Sequence, residues 1–215
     1  MDLDTRADIL AAARTVFARR GFSGTSVREV AEAARVNKAM IYYHFRDKVD
    51  LYRAVLSNSF AAMDRIWDHD LFKGDAPARQ KMQKYIEEFI RFQHKNEDLR
   101  KILAMEFSAT GEKSDNLKWI AKNYFAKNHV ALIKIIKAGM KTGELRKIDP
   151  VMAVVSLLGM IVHLFIYVPI APLIQKRKVD MSVMKMGVFV TELFFNGLSA
   201  QKPAQKRTGK IGVRS

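Results

Sequence analysis

The chain has 215 residues, about half of them apolar and about a quarter charged, in the ordinary range for a globular protein with a buried core. It has no cysteine, which excludes a disulfide framework, a thiolate metal site and a cysteine nucleophile and fits a reducing cytoplasm. The net charge of +15 points to an anionic partner. Residues 1–55 carry ten basic and seven acidic side chains, and residues 201–215 carry five basic ones and no acid.

The elements read as helices throughout. The prolines fall at segment boundaries or in the tail, and no run sustains two-residue alternation. A first helix is expected after Asp4, with Ile9, Ala13, Val16 and Phe17 on one face and Gly21 as its stop. Ser26-Val-Arg-Glu29 is a capping box that opens a second helix through Val30, Ala31 and Ala34. A tight connection at Arg35-Val36 follows, and Asn37 caps a short helix from Lys38 to about His44. Asp47-Lys-Val-Asp50 starts a long helix reaching Asp68 or beyond.

Beyond the Lys73–Pro77 linker, Met82, Tyr85, Ile86, Phe89 and Ile90 repeat at helical spacing. Further helices are expected over Asn96–Thr110, closed by Gly111, and over Ser114–Lys141. Asp149-Pro150 is a cap and first-turn proline, and a last helix spans about Asp180–Leu198. Val151–Ile174 has no formal charge and is long enough to span a bilayer, so membrane association is one reading. Pro169, Pro172, Ser156, Gly159 and His163 favour instead a helix buried on most sides by protein. The fold class is all-α, with about nine helices divided near residues 46–50. The expected units are a head over 1–48, a body over 49–200 and a basic tail over 201–215 that is too polar to pack. The tail reads as a solubilising end or as added attraction to DNA.

Residues 25–51 hold the strongest local pattern: a short helix, a turn too tight to wander, and a second short helix. Small apolar residues Val30, Ala31, Ala34, Val36 and Ile41 lock such a pair at a steep angle, as in a helix-turn-helix. The second helix then presents Lys38, Ala39, Met40 and Tyr42. Lys38 can donate to guanine or phosphate, and Ala39 and Met40 can touch a thymine methyl. Tyr42, Tyr43 and His44 can donate to phosphate oxygens, and Lys48 lies at the amino end of the next helix, where an anion is favoured. Alternative readings are open: Tyr42, Tyr43, His44 and Phe45 also fit plain packing, and Arg28 fits a solvated helix face.

This stretch resembles the TetR family of bacterial regulators, densely from Ile9 to Val55, through Thr25-Ser-Val-Arg-Glu-Val-Ala-Glu-Ala-Ala and Tyr42-Tyr-His-Phe-Arg-Asp-Lys48 with Leu51, Phe17 and Gly21 in register. Gly143-Glu-Leu-Arg146, Asp149-Pro150 and Phe195-Asn-Gly-Leu198 resemble looser landmarks of the family's body. The resemblance implies a three-helix head that binds double-stranded operator DNA and a body dimerised by its last two helices as a four-helix bundle. By position, Thr25, Ser26 and Arg28 fall at phosphate or occasional base contacts, Lys38, Ala39, Met40 and Tyr42 at recognition positions, and Tyr43, His44 and Lys48 at backbone anchors. Arg35 departs from the family's usual glycine, and a left-handed residue with a side chain there costs about 1 kcal/mol.

The resemblance also implies a body cavity for a small lipophilic or amphipathic effector, whose binding moves the Asp47–Asp68 helix and respaces recognition helices that must sit about 34–36 Å apart. Candidate lining residues are Met63, Trp67, Phe89, Phe92, Met105, Trp119, Tyr124, His163 and Tyr167, each of which also fits ordinary core. Candidate dimer residues are Met160, Met186, Val190, Leu193, Phe194 and Gly197. No metal-ligand spacing, phosphate loop or nucleophile motif stands out, so neither an enzyme nor a cofactor is expected. Besides a ligand-responsive repressor, the pattern admits a structural DNA-binding protein acting through a protein partner.

Overall fold

The computed structural model describes residues 2–109, 115–175 and 182–198. Gly111, Asp180 and the 201–215 tail therefore lie outside the described residues. No strand occurs among the described residues, and nine of their helices are seven residues or longer. The first is α1 (Asp2–Arg20), which begins at Asp2 and runs through Asp4 rather than starting after it. It is followed by α2 (Val27–Ala34), α3 (Lys38–His44) and α4 (Lys48–Asp64). Asp47 caps α4 by accepting the Asp50 amide at 2.8 Å. Past α4 the chain tightens to a 3₁₀ turn at Arg65–Asp68, shortening the helix expected to continue there.

A short α5 (Asp70–Lys73) leads to α6 (Ala78–Lys95), with Pro77 at its cap position, one residue before the place expected for it. Next come α7 (Glu97–Ala109), α8 (Asp115–Ile120) and α9 (Ala126–Lys141). The last two are one continuous rod interrupted by a π segment over Ala121–Phe125. The Gly143-Glu-Leu-Arg landmark acquires a physical role just beyond α9. Gly143 has φ +77°, a left-handed value suited to glycine, and Leu145 is buried. Glu144 turns back so that its two oxygens accept the Ala78 and Arg79 amides at 2.8 and 2.7 Å, capping α6 from 65 residues away.

Asp149 caps α10 (Pro150–Tyr167) by accepting the Val151 and Met152 amides at 2.8 and 2.9 Å. A short α11 (Ala171–Gln175) and α12 (Val183–Leu198) complete the chain. Helix α6 lies at the centre of the body against α9, α10 and α12, while α1 packs on α2, α4 and α7. Head and body share one continuous core, from Ile9, Phe17, Val30 and Ile41 through Leu51 and Phe60 to Met82, Leu132, Leu157 and Val190.

The expectation of an α10 buried on most sides is corrected. Only Ala153, Val154, Leu157 and Ile161 are buried, whereas Met152, Val155, Val162, Ile166 and Tyr167 are exposed. The helix is long and apolar enough to cross a membrane, but its inner face packs against α6, α9 and α12. Its outer face continues onto Met184, Val188, Phe189 and Leu193 of α12.

Candidate nucleic-acid interface and effector clefts

The head is assembled by local hydrogen bonds that the sequence foreshadows. The Glu29 amide donates to Ser26 Oγ at 3.2 Å and the Ser26 amide to Glu29 Oε2 at 2.8 Å, closing the capping box. The Ser26 amide first, and then the Ser26 hydroxyl, hold the Glu29 carboxyl below its ordinary range, and Arg20 adds its charge beside it. At the far end of α2, Arg35 takes φ 56°, ψ 37°, the left-handed conformation that the tight connection demands. Arg35 N–H then reaches the Glu32 carbonyl and Val36 N–H the Ala31 carbonyl. Asn37 caps α3 by accepting the Met40 amide at 2.9 Å.

With Ile41 and Phe45 buried in the head, α3 turns Lys38, Ala39, Tyr42 and Tyr43 to solvent, with Met40 and His44 half-buried at the edge. Tyr43 is 71% exposed, and Tyr42 lies under the Lys38 ammonium at 5.5 Å from its ring centre. Phe45 is therefore core, while the two tyrosines stand on an unpacked surface. Ser26 is also exposed, and Arg28 sits on the solvated face of α2, paired with Glu32 at 2.9 Å.

Two expected DNA contacts are placed differently. Thr25 is buried and its hydroxyl donates to the Gly21 carbonyl at 2.8 Å, so it closes the α1–α2 turn. Lys48 reaches back across the head: Nζ donates to the carbonyls of Phe22 at 2.8 Å and Thr25 at 2.9 Å and lies over the Phe22 ring. Lys48 thus ties the start of α4 to that turn and keeps one N–H for any other acceptor.

The expected effector residues do not line one cavity. Tyr85, Phe89, Phe92 and Phe60 form a run of near-parallel rings, with Trp67 stacked at one end and Tyr124 at the other, and Met63 is buried in the same core. Met105 instead abuts Gly21 beneath the head, its Sδ 3.2 Å from where a Cβ would stand. His163 and Tyr167 stack on each other on the exposed side of α10, away from that core, because their spacing of four places them on its outer stripe. Open clefts lie at either end of the rings. One of about 520 Å³ is lined by Trp67, Phe72, Pro77, Ala138 and Lys134, and one of about 600 Å³ by Arg6, Leu10, Arg53 and Trp119. Arg6 and Arg53 carried no signal in the sequence, since their nearness to Trp119 is made only by the fold.

The expected dimer residues are likewise redistributed. Met186, Val190 and Phe194 are buried within the protomer, Met160 is half-buried, and Leu193 is exposed. Both sides of α12 are apolar, so composition alone does not separate the buried Met186, Val190 and Phe194 from the exposed Leu193. Gly197 lies in the last turn of α12. Gly187 faces Glu87 of α6.

Comparison with known proteins bears on this head directly. Residues 9–55 match the family described as bacterial regulatory proteins, tetR family. The chain is 27% identical over 145 residues to YttP of Bacillus subtilis, named as a probable HTH-type transcriptional regulator, covering 67% of this chain and 69% of that protein. In fold it is similar to a proposed fatty acid metabolism regulator of Clostridium perfringens, with a TM-score of 0.73 and 21% identity over 90% of this chain and all of the other. It is also similar to AibR, solved in complex with isovaleryl coenzyme A and operator DNA, with a TM-score of 0.66 and 21% identity over 88% of this chain and 97% of the other. The family match lies on the residues that build the exposed α3, so residues 9–55 form a helix-turn-helix head of the tetR type, in a chain similar to helix-turn-helix transcriptional regulators.

Proposed function

We propose that the chain is a cytoplasmic repressor that holds operator DNA as a homodimer and is released by a small lipophilic or amphipathic effector. The observation that carries this reading is α3 itself, a capped helix anchored by Ile41 whose Lys38, Ala39 and Tyr42 have no packing role. In this reading Lys38, Ala39, Met40 and Tyr42 meet base edges in the major groove, and Ser26, Arg28, Tyr43 and His44 meet the backbone. Thr25 and Lys48 act chiefly by holding the α1–α2 turn against α4. The head comprises residues 1–48 and the body the helices that follow. The partner copy covers the outer faces of α10 and α12, around Val155, Val162, Val188 and Leu193, which sets the distance between the two α3 helices.

Effector release is supported by the two clefts flanking the aromatic rings and by the complex in which AibR was solved. A mobility-shift assay on duplexes selected from a random pool tests the head. Lys38→Ala and Tyr42→Ala are expected to weaken or change the selected site, and unchanged selectivity in both overturns the assignment. The second reading, a DNA-binding protein working through a protein partner, draws on the filled ring stack and the exposed apolar face. Under it, the partner rather than a second copy covers that face, and the purified chain sediments as a monomer.

A further inference from the structure

The cleft between α1, α4 and α8 combines two unneutralised cations with an indole ring. Arg6 and Leu10 come from α1, Arg53 and Ser57 from α4, and Trp119 from α8. The Arg6 guanidinium lies 5.2 Å from the centre of the Phe45 ring, and that of Arg53 lies 5.2 Å from the centre of Trp119. Rings orient a guanidinium without cancelling its charge. The carboxylate in the cleft, Asp50, is already engaged: it accepts the Arg46 amide at 3.1 Å and lies 3.8 Å from Arg46 Nε. Among the described residues no carboxylate pairs with Arg6 or Arg53.

Arg53 Nε is moreover buried with no acceptor. A buried cationic N–H left unmade is costly, and a ligand oxygen would satisfy it once the guanidinium turns toward the cleft. Ser57 Oγ, which accepts the Tyr124 hydroxyl at 2.7 Å, keeps its own proton to donate on the same wall. The cleft measures about 600 Å³, room for a ligand of one or two rings.

From this arrangement we infer that the cleft binds a flat organic anion, an aromatic carboxylate held by Arg53 and Arg6 with its ring against Trp119 and Leu10. The inference rests on the effector reading above and names the ligand class of one of its two clefts; its test reads occupancy of the free protein, so its failure is distinguishable from a failure of operator binding. Its consequence for regulation is geometric. The ligand bridges α1 of the head to α4 and α8, and so favours one setting of head on body over others.

Calorimetry of the full chain with 2-naphthoate, 2-naphthol and inorganic pyrophosphate tests the site. Saturable one-to-one binding of naphthoate is expected, with naphthol and pyrophosphate each weaker by about tenfold. Arg53→Gln is expected to weaken naphthoate by about tenfold and Arg6→Gln by a smaller factor, with near-ultraviolet circular dichroism unchanged. Arg53→Lys keeps the charge and is expected to fall between native and Arg53→Gln. The chain has two tryptophans, so Trp67→Phe leaves Trp119 as the reporter. Its indole N–H resonance is expected to shift along the same titration; if that variant does not fold, the two indole resonances of the native chain are followed and one of them shifts. The inference is overturned by unsaturable heats, by naphthol binding as tightly as naphthoate, by pyrophosphate binding more tightly than either, or by a folded Arg53→Gln that binds like the native chain.

Discussion

The Tyr52 hydroxyl donates to Glu106 Oε1 at 2.7 Å, a buried bond between α4 and α7 spanning 54 residues of sequence. Tyr52 also meets the edge of Phe17 at 4.9 Å between ring centres and packs on Phe22, so one side chain touches the first helix, the α1–α2 turn and the body. Tyr52→Phe keeps the ring contacts and removes the bond. It is expected to lower the free energy of unfolding by about 1–2 kcal/mol, measured by urea denaturation.

Alkaline pH is expected to destabilise the fold through the same residue. Burial first, then the hydrogen bond to Glu106 and its charge, push the Tyr52 hydroxyl far above the ordinary tyrosine range. Burial does the same at Tyr85, against a lowering from its bond with Asn128. The unfolded chain still loses these protons near pH 10, so the stability is fully present below about pH 10 and declines above it. Urea titrations from pH 8 to 11 should show native stability falling more steeply than that of Tyr52→Phe, by up to about 1.4 kcal/mol per pH unit. Parallel slopes would show that Tyr52 ionises alike in both states.

Lys48→Gln separates a structural clamp from a phosphate anchor. Losing the ammonium that joins the Phe22 and Thr25 carbonyls is expected to cost about 1–3 kcal/mol in the absence of DNA. Loss of DNA affinity with unchanged stability would instead assign Lys48 to the backbone of the duplex.

Arg35→Gly is expected to raise stability by about 0.5–1 kcal/mol, because glycine adopts the left-handed turn without the Cβ penalty. Arg35→Ala keeps the Cβ and should give no such gain. Thermal unfolding of the three proteins checks the order.

Substitutions on α12 should sort by face. Val188→Glu, on the outer stripe, is expected to yield a folded monomer by sedimentation velocity. Val190→Ala, on the buried stripe, is expected to cost about 2 kcal/mol of stability and leave association in place. The reverse pattern would place the partner on the other side of the helix.

What could be read in the sequence follows the reach of each interaction. The Ser26–Glu29 box, the Asn37 and Asp149 caps and the left-handed Arg35 are legible because each is settled within about four residues. Lys48 was not, since its acceptors lie 26 and 23 residues earlier. The inner side of α12 was not either, because Met186, Val190 and Phe194 alternate with Met184, Val188 and Leu193 and both stripes are apolar. His163 and Tyr167 have the composition of pocket residues but lie on the outer side of α10, which only the packing of Leu157 and Ile161 against α6 and α9 decides.

The π segment at Ala121–Phe125 sets the phase of everything on either side of it. One extra residue in a helix turns the following part by about 100° relative to the preceding part. Upstream, this aims Trp119 at Arg53; downstream, it aims Asn128, Leu132 and Ile136 into the interior. A lineage that lost a single residue there would keep a straight, well-bonded rod and every side chain on it, yet its indole would swing off the arginine. The segment acts as a vernier between two faces, so insertions and deletions within it should be far rarer among close relatives than substitutions.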